Sequence, residues 1–200
     1  MTILRDIVGR YAEAHADAYG RALTPIPGLA AIRATAPSDI MHAVSKPMVC
    51  LVLQGSKYVA MGTQEFAFSA GDSLLITADV PTVNQITRAS IVAPYLSLVL
   101  ELDLAIIADL AAQMEVLPAG HQAPVRVEPT DGEVADAALR LMRLLDRPAS
   151  MPVLQAQLTR ELHYWLLAGK HGAAIRRLGW PDGHAERVAR AVTAEPSAPP

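Results

Sequence analysis

The sequence predicts an α+β protein in which antiparallel strands form a barrel or sandwich and helices follow it. Residues 24–102 contain short apolar runs separated by turns rich in Gly, Pro and Asp, with no helical pattern between them. From Asp103 onward, apolar residues recur every three or four positions, which is the spacing of an amphipathic helix. With 52% hydrophobic residues in a chain of 200, the protein can bury a sizeable core.

The composition excludes several classes of protein. The net charge is −3 and no cluster of Lys and Arg stands out, so the electrostatic footprint of a self-sufficient DNA-binding domain is missing. Cys50 is the single cysteine, which permits no internal disulfide and fits a reducing cytoplasm. No run approaches the roughly 18 apolar residues of a membrane helix, and Arg5 and Asp6 make the N-terminus unlike a signal peptide. We therefore expect a cytoplasmic protein with no membrane partner.

The first elements are a helix and a strand. Residues 2–19 carry an apolar stripe at helical spacing that includes Leu4, Val8 and Tyr11. The proline-containing segment 24–28 ends this pattern, and residues 29–35 predict the first strand.

Residues 47–68 predict two consecutive β-hairpins, with two-residue Gly-X turns beginning at positions 55 and 62. The first turn would set Val52 opposite Val59, and the second would set Phe66 opposite Val59. Both faces of the predicted sheet are largely apolar, so we expect other parts of the protein to cover it on both sides. Because side chains alternate across a strand, one inner face would collect Cys50, Val52, Gln54, Lys57, Val59, Met61, Gln64, Phe66 and Phe68.

Three further strands are predicted before the helical half, at residues 73–77, 82–87 and 95–102. Asp103 is a candidate cap for the helix that follows, and residues 118–129 are expected to be a connector.

The helical half shows recognisable start and stop signals. Thr130 and Glu133 have the spacing of a capping box. Ser150 precedes another helical pattern, which Gly169 stops. Shorter helical patterns follow at residues 172–178 and 186–192.

A set of ordered blocks runs through the chain between positions 24 and 180. The blocks are Ile26-Pro27-Gly28-Leu29 with Arg33, Pro47 with Cys50, Val52-Leu53-Gln54-Gly55-Ser56-Lys57, Ala70-Gly71-Asp72, Asp79-Val80-Pro81, Ala89-Ser90, Pro94-Tyr95-Leu96, Leu102-Asp103, Arg160-Glu161-Leu162, Gly169 and His171-Gly172-Ala173. Together they resemble the N-terminal domain of AraC-type transcriptional regulators. The resemblance implies a cupin-like β-barrel of the jelly-roll type that senses a small-molecule effector, a helical subdomain after it, and a homodimer.

The resemblance also predicts how the chain is divided. We expect an N-terminal helix at 1–20, a cupin-like barrel with a trailing helix at 24–118 and a helical subdomain at 119–180. Residues 181–200 are expected to be a truncated linker, because residues 184–192 resemble the helix that leads into a helix-turn-helix domain in these regulators. DNA would then be bound only through a C-terminal domain that this chain lacks.

The inner face and the resemblance together predict the effector site. Cys50 is either a small buried hydrophobe or a reactive thiol, which would require a nearby cation and access for the ligand. Gln54 and Lys57 form either a solvated hairpin end or a polar rim. The expected ligand is small and either largely apolar or thiol-reactive. The candidate ligand-binding residues are Cys50, Val52, Gln54, Val59, Met61, Phe66 and Phe68.

No metal, cofactor or catalytic residue is expected. Metal-dependent cupin enzymes carry a His-x-His pair, which this sequence lacks, and its six histidines are scattered rather than clustered. No nucleophile motif or phosphate-binding loop is present either. Two alternatives to a regulator domain are a stand-alone cupin enzyme and a DNA-blind partner that forms mixed dimers with a full-length regulator.

Overall fold

The computed structural model describes residues 1–114 and 124–179. The helices are α1 (Thr2–His15), α2 (Leu104–Gln113), α3 (Gly132–Leu144), α4 (Met151–Ala168) and α5 (Gly172–Arg176), with short 3-10 turns at Pro148–Ser150 and Arg177–Gly179. The strands are β1 (Arg21–Leu23), β2 (Leu29–Ala34), β3 (Met41–Ser45), β4 (Met48–Gln54), β5 (Ser56–Met61), β6 (Gln64–Ser69), β7 (Asp72–Ile76), β8 (Val80–Arg88), β9 (Tyr95–Glu101) and β10 (Val125–Pro129).

The strands form two antiparallel sheets. The six-stranded sheet has the order β1-β2-β9-β4-β7-β10, and the four-stranded sheet has the order β3-β8-β5-β6. Cys50, Val52 and Tyr95 of the first sheet pack with Val59 and Phe68 of the second in one buried cluster, which we call the interior. The predicted fold class, antiparallel sheets followed by helices, is confirmed.

The predicted hairpin between β4 and β5 is wrong. β4 pairs with β7 and β9, whereas β5 pairs with β6 and β8, so the chain passes from one sheet to the other at Gly55. Val52 therefore does not pair with Val59. Because β4 is apolar on both faces, it is favoured in the middle of a sheet that is covered on both sides. The second hairpin is confirmed, with Phe66 opposite Val59.

The face of the six-stranded sheet that points away from the interior is covered by helices. Leu51 of β4 and Leu98 of β9 pack in a second buried cluster with Val8 of α1, Leu141 of α3 and Leu166 of α4. The expected cover on both sides is therefore present for this sheet, and β4 separates the interior from the helices.

The outer face of the four-stranded sheet is more open. Among the residues that the structure describes, Val44 on β3 is 72% exposed, Pro81 on β8 is exposed, and Tyr58 on β5 is only partly buried. The expectation of cover on both sides is wrong here.

Three strands lie outside the predicted elements, and all three are edge strands. β1 and β10 form the two edges of the six-stranded sheet, and β3 forms one edge of the other. Edge strands are short and half-solvated, so they lack the long apolar run that marks a central strand. The expected connector at 118–129 is therefore wrong for residues 125–129, which pair with β7. The predicted helix at 186–192 lies outside the described residues.

Some helix boundaries follow the sequence signals. The side chain of Asp103 accepts hydrogen bonds from the backbone N–H groups of Ala105 and Ile106, which confirms it as the cap of α2. Ser150 immediately precedes α4, and Gly169 follows its last residue.

Two other boundary predictions are wrong. α1 ends at His15 rather than at residue 19, because the Asp17 carboxylate accepts hydrogen bonds from the backbone N–H groups of the following turn. The residue before α3 is Asp131 rather than Thr130, and its carboxylate makes no cap hydrogen bond. It binds Lys170 instead, with Oδ1 3.1 Å from Nζ, so no capping box forms.

Candidate functional site: the interior between the sheets

The interior brings together six of the seven predicted site residues. Cys50, Val52, Val59 and Phe68 are each at most 2% exposed and belong to one buried cluster. Met61 and Phe66 are partly buried and pack against it. This grouping follows from strand alternation: even-numbered residues of β4 and β6 and odd-numbered residues of β5 point inward.

Gln54 does not join this cluster. Its side-chain Nε2 donates a hydrogen bond of 2.8 Å to the backbone oxygen of Pro94, at the end of β4. The side chain therefore tethers the segment that leads into β9, and its predicted role at the rim of the site stays a prediction.

The strand β9 supplies two polar interior residues that the sequence interpretation missed. Tyr95 is fully buried, and its hydroxyl oxygen lies 4.0 Å from the Cys50 sulfur. Ser97 is 1% exposed, and its hydroxyl has no hydrogen-bond partner within residues 1–114 and 124–179. It is the one polar residue in the otherwise apolar run from Leu96 to Leu100, which was the available signal.

The Tyr95 hydroxyl in the interior is uncharged. Burial raises the pKa of Tyr95 well above its usual range, and the neighbouring Cys50 raises it further. The nearby Ser97 hydroxyl lowers this pKa, although the two hydroxyl groups do not have the geometry of an ordinary hydrogen bond. The polar contact of the Cys50 sulfur among the described residues is this neutral hydroxyl. Reactive cysteines are activated by a nearby cation, and the Tyr95 hydroxyl does not provide one.

A second polar group lies on the inward face of β8. Thr82 Oγ1 is 2.8 Å from the Ser45 hydroxyl and accepts a hydrogen bond of 2.8 Å from Asn84 Nδ2. Thr82 and Asn84 are buried and share the parity of Val80 and Ile86, which belong to the interior cluster. The described part of the interior is thus an apolar cluster with a few hydroxyl and amide groups among its side chains.

The described residues give no metal site and no membrane-spanning helix. Within residues 1–114 and 124–179, no three His, Cys, Asp or Glu side chains lie close enough to hold a metal ion. In the same ranges, no helix has both the length and the apolar character needed to cross a bilayer.

Comparison with protein families identifies the chain. The sequence profile described as the AraC-type transcriptional regulator N-terminus matches residues 25–174. The chain belongs to this family. The matched range runs from the segment before β2 into α5, so it includes β2 to β10 and α2 to α4, whereas α1 and β1 lie before it. Comparison with curated protein sequences finds no match.

Solved structures with a similar fold include two AraC-like regulators. An apo variant of ToxT from Vibrio cholerae has a TM-score of 0.52 and 4% identity, over 70% of this chain and 55% of that one. The AraC-like transcriptional activator CuxR has a TM-score of 0.44 and 12% identity, over 84% of this chain and 61% of that one. A protein from Shewanella frigidimarina that contains a cupin-2 domain has a TM-score of 0.34 and 9% identity, over 47% of this chain and 91% of that one. The AraC-type domain thus spans less than two thirds of either regulator, and the ToxT likeness shows the fold alone.

Two buried histidines connect separate segments of this AraC-type domain: one links α4 to the start of α2, and the other links the residue before α5 to β7. His163 of α4 accepts a hydrogen bond of 3.0 Å at Nε2 from the backbone N–H of Asp103. His171 Nε2 lies 2.8 Å from the Ser73 hydroxyl of β7. Because that hydroxyl donates to the Glu128 carbonyl, we assign the proton of this contact to the imidazole. Burial lowers the pKa of both histidines, so both are held neutral.

These pKa shifts predict acid sensitivity of the AraC-type domain. Since both pKa values are lower in the folded state, the unfolded state binds more protons as the pH falls through the ordinary histidine range. The free energy of unfolding should therefore decrease between about pH 7.5 and about pH 5. Urea unfolding across this range measures the slope. His163→Gln should flatten it, and the exposed control His42→Gln should not. An unchanged slope in His163→Gln would assign the acid sensitivity to other groups.

Proposed function

We propose that the interior binds a small-molecule effector and that the domain is the sensor of an AraC-type regulator. The observation that carries this proposal is the Ser97 hydroxyl, which is buried in the interior without a hydrogen-bond partner among the described residues. An unsatisfied buried polar group costs about 1–3 kcal/mol, and a ligand oxygen or nitrogen beside it would remove that cost. Cys50 and Tyr95 place two further polar atoms nearby.

The proposed ligand is small, with an apolar body and one polar group. Val52, Val59 and Phe68 supply apolar contacts, and the partly buried Met61 and Phe66 can adjust at the margin of the cluster. The proposal includes ligands that react with thiols through a carbonyl group. The Cys50 sulfur would add to the carbonyl carbon of such a ligand, and the thiol proton would pass to the carbonyl oxygen. The domain binds the ligand and does not turn it over.

The position of β4 suggests how binding reaches the rest of the regulator. Cys50 and Val52 face the interior, whereas Val49 and Leu51 on the same strand face the helices. A ligand that shifts β4 therefore shifts the contacts of α3 and α4 as well. In the proposed mechanism this changes the equilibrium between two arrangements of a homodimer and of its DNA-binding domains in the cytoplasm.

A pair of buried serines tests the state of the Ser97 hydroxyl. Ser97→Ala should leave the free energy of unfolding unchanged or raise it by up to about 1 kcal/mol, since no hydrogen bond is lost. Ser73→Ala is the matched control, because it leaves His171 Nε2 unpaired and should lower the free energy by about 1–3 kcal/mol. Urea unfolding compares the two. Equal destabilisation by both would contradict an unsatisfied Ser97.

The same variants test ligand binding, with n-butanol and n-butanal as probes. Both probes should raise the Tm of the wild type, and Ser97→Ala should reduce the rise. Cys50→Ser should abolish only the additional effect of the aldehyde if the thiol forms an adduct. An equal response to butanal in Cys50→Ser and wild type, with no change in intact mass, would show that the thiol serves only in packing.

A further inference from the structure

A concave groove lies on the helical side of the molecule, remote in the fold from the interior. It is formed between α1, the end of α3 and the start of α4, and has a volume of about 610 Å³. Its apolar lining comes from Ile7, Leu144, Leu154 and Leu158. Leu154 is 39% exposed, so this lining is open to solvent.

Guanidinium groups line the same groove. Arg140, Arg143 and Arg147 follow one another at spacings of three and four residues, which puts them on one side of α3 and its extension. α1 adds Arg10 from across the groove. The sequence interpretation missed this cluster because Arg10 lies 130 residues away from Arg140 along the chain.

Most of this positive charge is not neutralised locally. Arg140 is paired with Glu161 of α4. Within residues 1–114 and 124–179, the side chains of Arg10, Arg143 and Arg147 take part in no ion pair or hydrogen bond. Among the lining residues that the structure describes, the one carboxylate belongs to Asp146. A surplus of positive charge therefore faces the groove in a chain whose net charge is −3.

We propose that this groove is a second ligand site, which binds a small amphiphilic anion. The apolar body of the ligand lies on Ile7, Leu144 and Leu158, and its carboxylate, sulfonate or phosphate group meets Arg143 and Arg147. Guanidinium groups bind such oxyanions through paired N–H donors. The volume is within the range of small-molecule sites. The apolar lining distinguishes the groove from a patch that serves only to bind phosphates.

Two fluorescent probes of matched shape test the site. Anilinonaphthalene sulfonate is an amphiphilic anion, and N-phenylnaphthylamine is its uncharged counterpart. The sulfonate should bind the folded chain at one saturable site, and raising NaCl from about 0.05 M to about 0.5 M should weaken it. The double variant Arg143→Gln, Arg147→Gln should weaken sulfonate binding by about tenfold and leave the uncharged probe unaffected. The control Arg88→Gln removes one positive charge on the four-stranded sheet and should have no effect.

Each alternative has its own outcome. Equal weakening of both probes, or none, in the double variant would overturn the proposal, because the arginines would then not select for the anion. Sedimentation of the same samples shows whether a second copy of the chain fills the groove; a dimer that the sulfonate dissociates would also overturn it. Unchanged Tm values of the variants exclude unfolding as the cause. The interior site does not enter this test, because its residues are unaltered.

Discussion

Gly55→Ala is expected to prevent stable folding, because this glycine holds the crossing between the two sheets. Its φ is +80°, where residues with a Cβ are strained. A Cβ built there would lie 2.4 Å from the Arg88 carbonyl oxygen and 3.1 Å from the Tyr95 Cα, and neither backbone atom can move without disturbing β8 or β9. Strain and overlap together should cost about 3–5 kcal/mol, which is much of the stability of a typical domain.

Gly62→Ala is the matched control for this prediction. Its φ is +57°, but no atom of the described residues, apart from the glycine and its two chain neighbours, lies within 4 Å of the position of an added Cβ. It should therefore cost only the backbone strain, about 1–2 kcal/mol. Urea unfolding followed by circular dichroism measures both variants. If the two variants lose equal free energies of unfolding, the close approach of backbone atoms at Gly55 does not restrict the crossing between the sheets.

Leu141→Ala should be the most damaging change in the helical layer. Leu141 is fully buried in the cluster that includes Leu51 of β4 and Leu166 of α4. Truncating it should lower the free energy of unfolding by about 2–5 kcal/mol. Because helices and sheet share this cluster, secondary and tertiary structure should be lost in one transition. Val153→Ala, at a side chain that is 67% exposed, is the control and should cost little. Two separate transitions would contradict a shared core.

The sequence predicted the fold class and the inward face of the strands because both depend on local alternation. Cys50, Val59 and Phe68 have the correct parity whichever strands pair, so they share the interior although the predicted β4–β5 pairing is wrong. The sequence could not predict that pairing. A Gly-X pair suits a tight hairpin and also a crossing between sheets, and the choice depends on β7 and β9, which lie more than fifteen residues further along the chain.

Other features were missed for the same physical reason. Tyr95 and Ser97 lie in a strand that is apolar at both parities, because its other face packs against the helices, so alternation did not show which residues point inward. The groove arginines come from two helices that only the tertiary fold brings together. His171 meets Ser73 across 98 residues of sequence. These contacts are non-local, and local patterns carry little information about them.

Binding of a small effector in the interior is tested most directly by the methionine methyl groups. Met48 and Met61 pack against the interior cluster, Met142 is buried in the helical cluster, and Met1 is 51% exposed. The measurement is a methyl NMR titration of the methionine-labelled chain with n-butanol and n-butanal. The proposal predicts saturable shifts of the Met48 and Met61 signals, with Met1 unchanged. The proposal would be contradicted if the Met48 and Met61 signals stay unchanged at a probe concentration that saturates the rise in Tm. It would also be contradicted if neither probe binds.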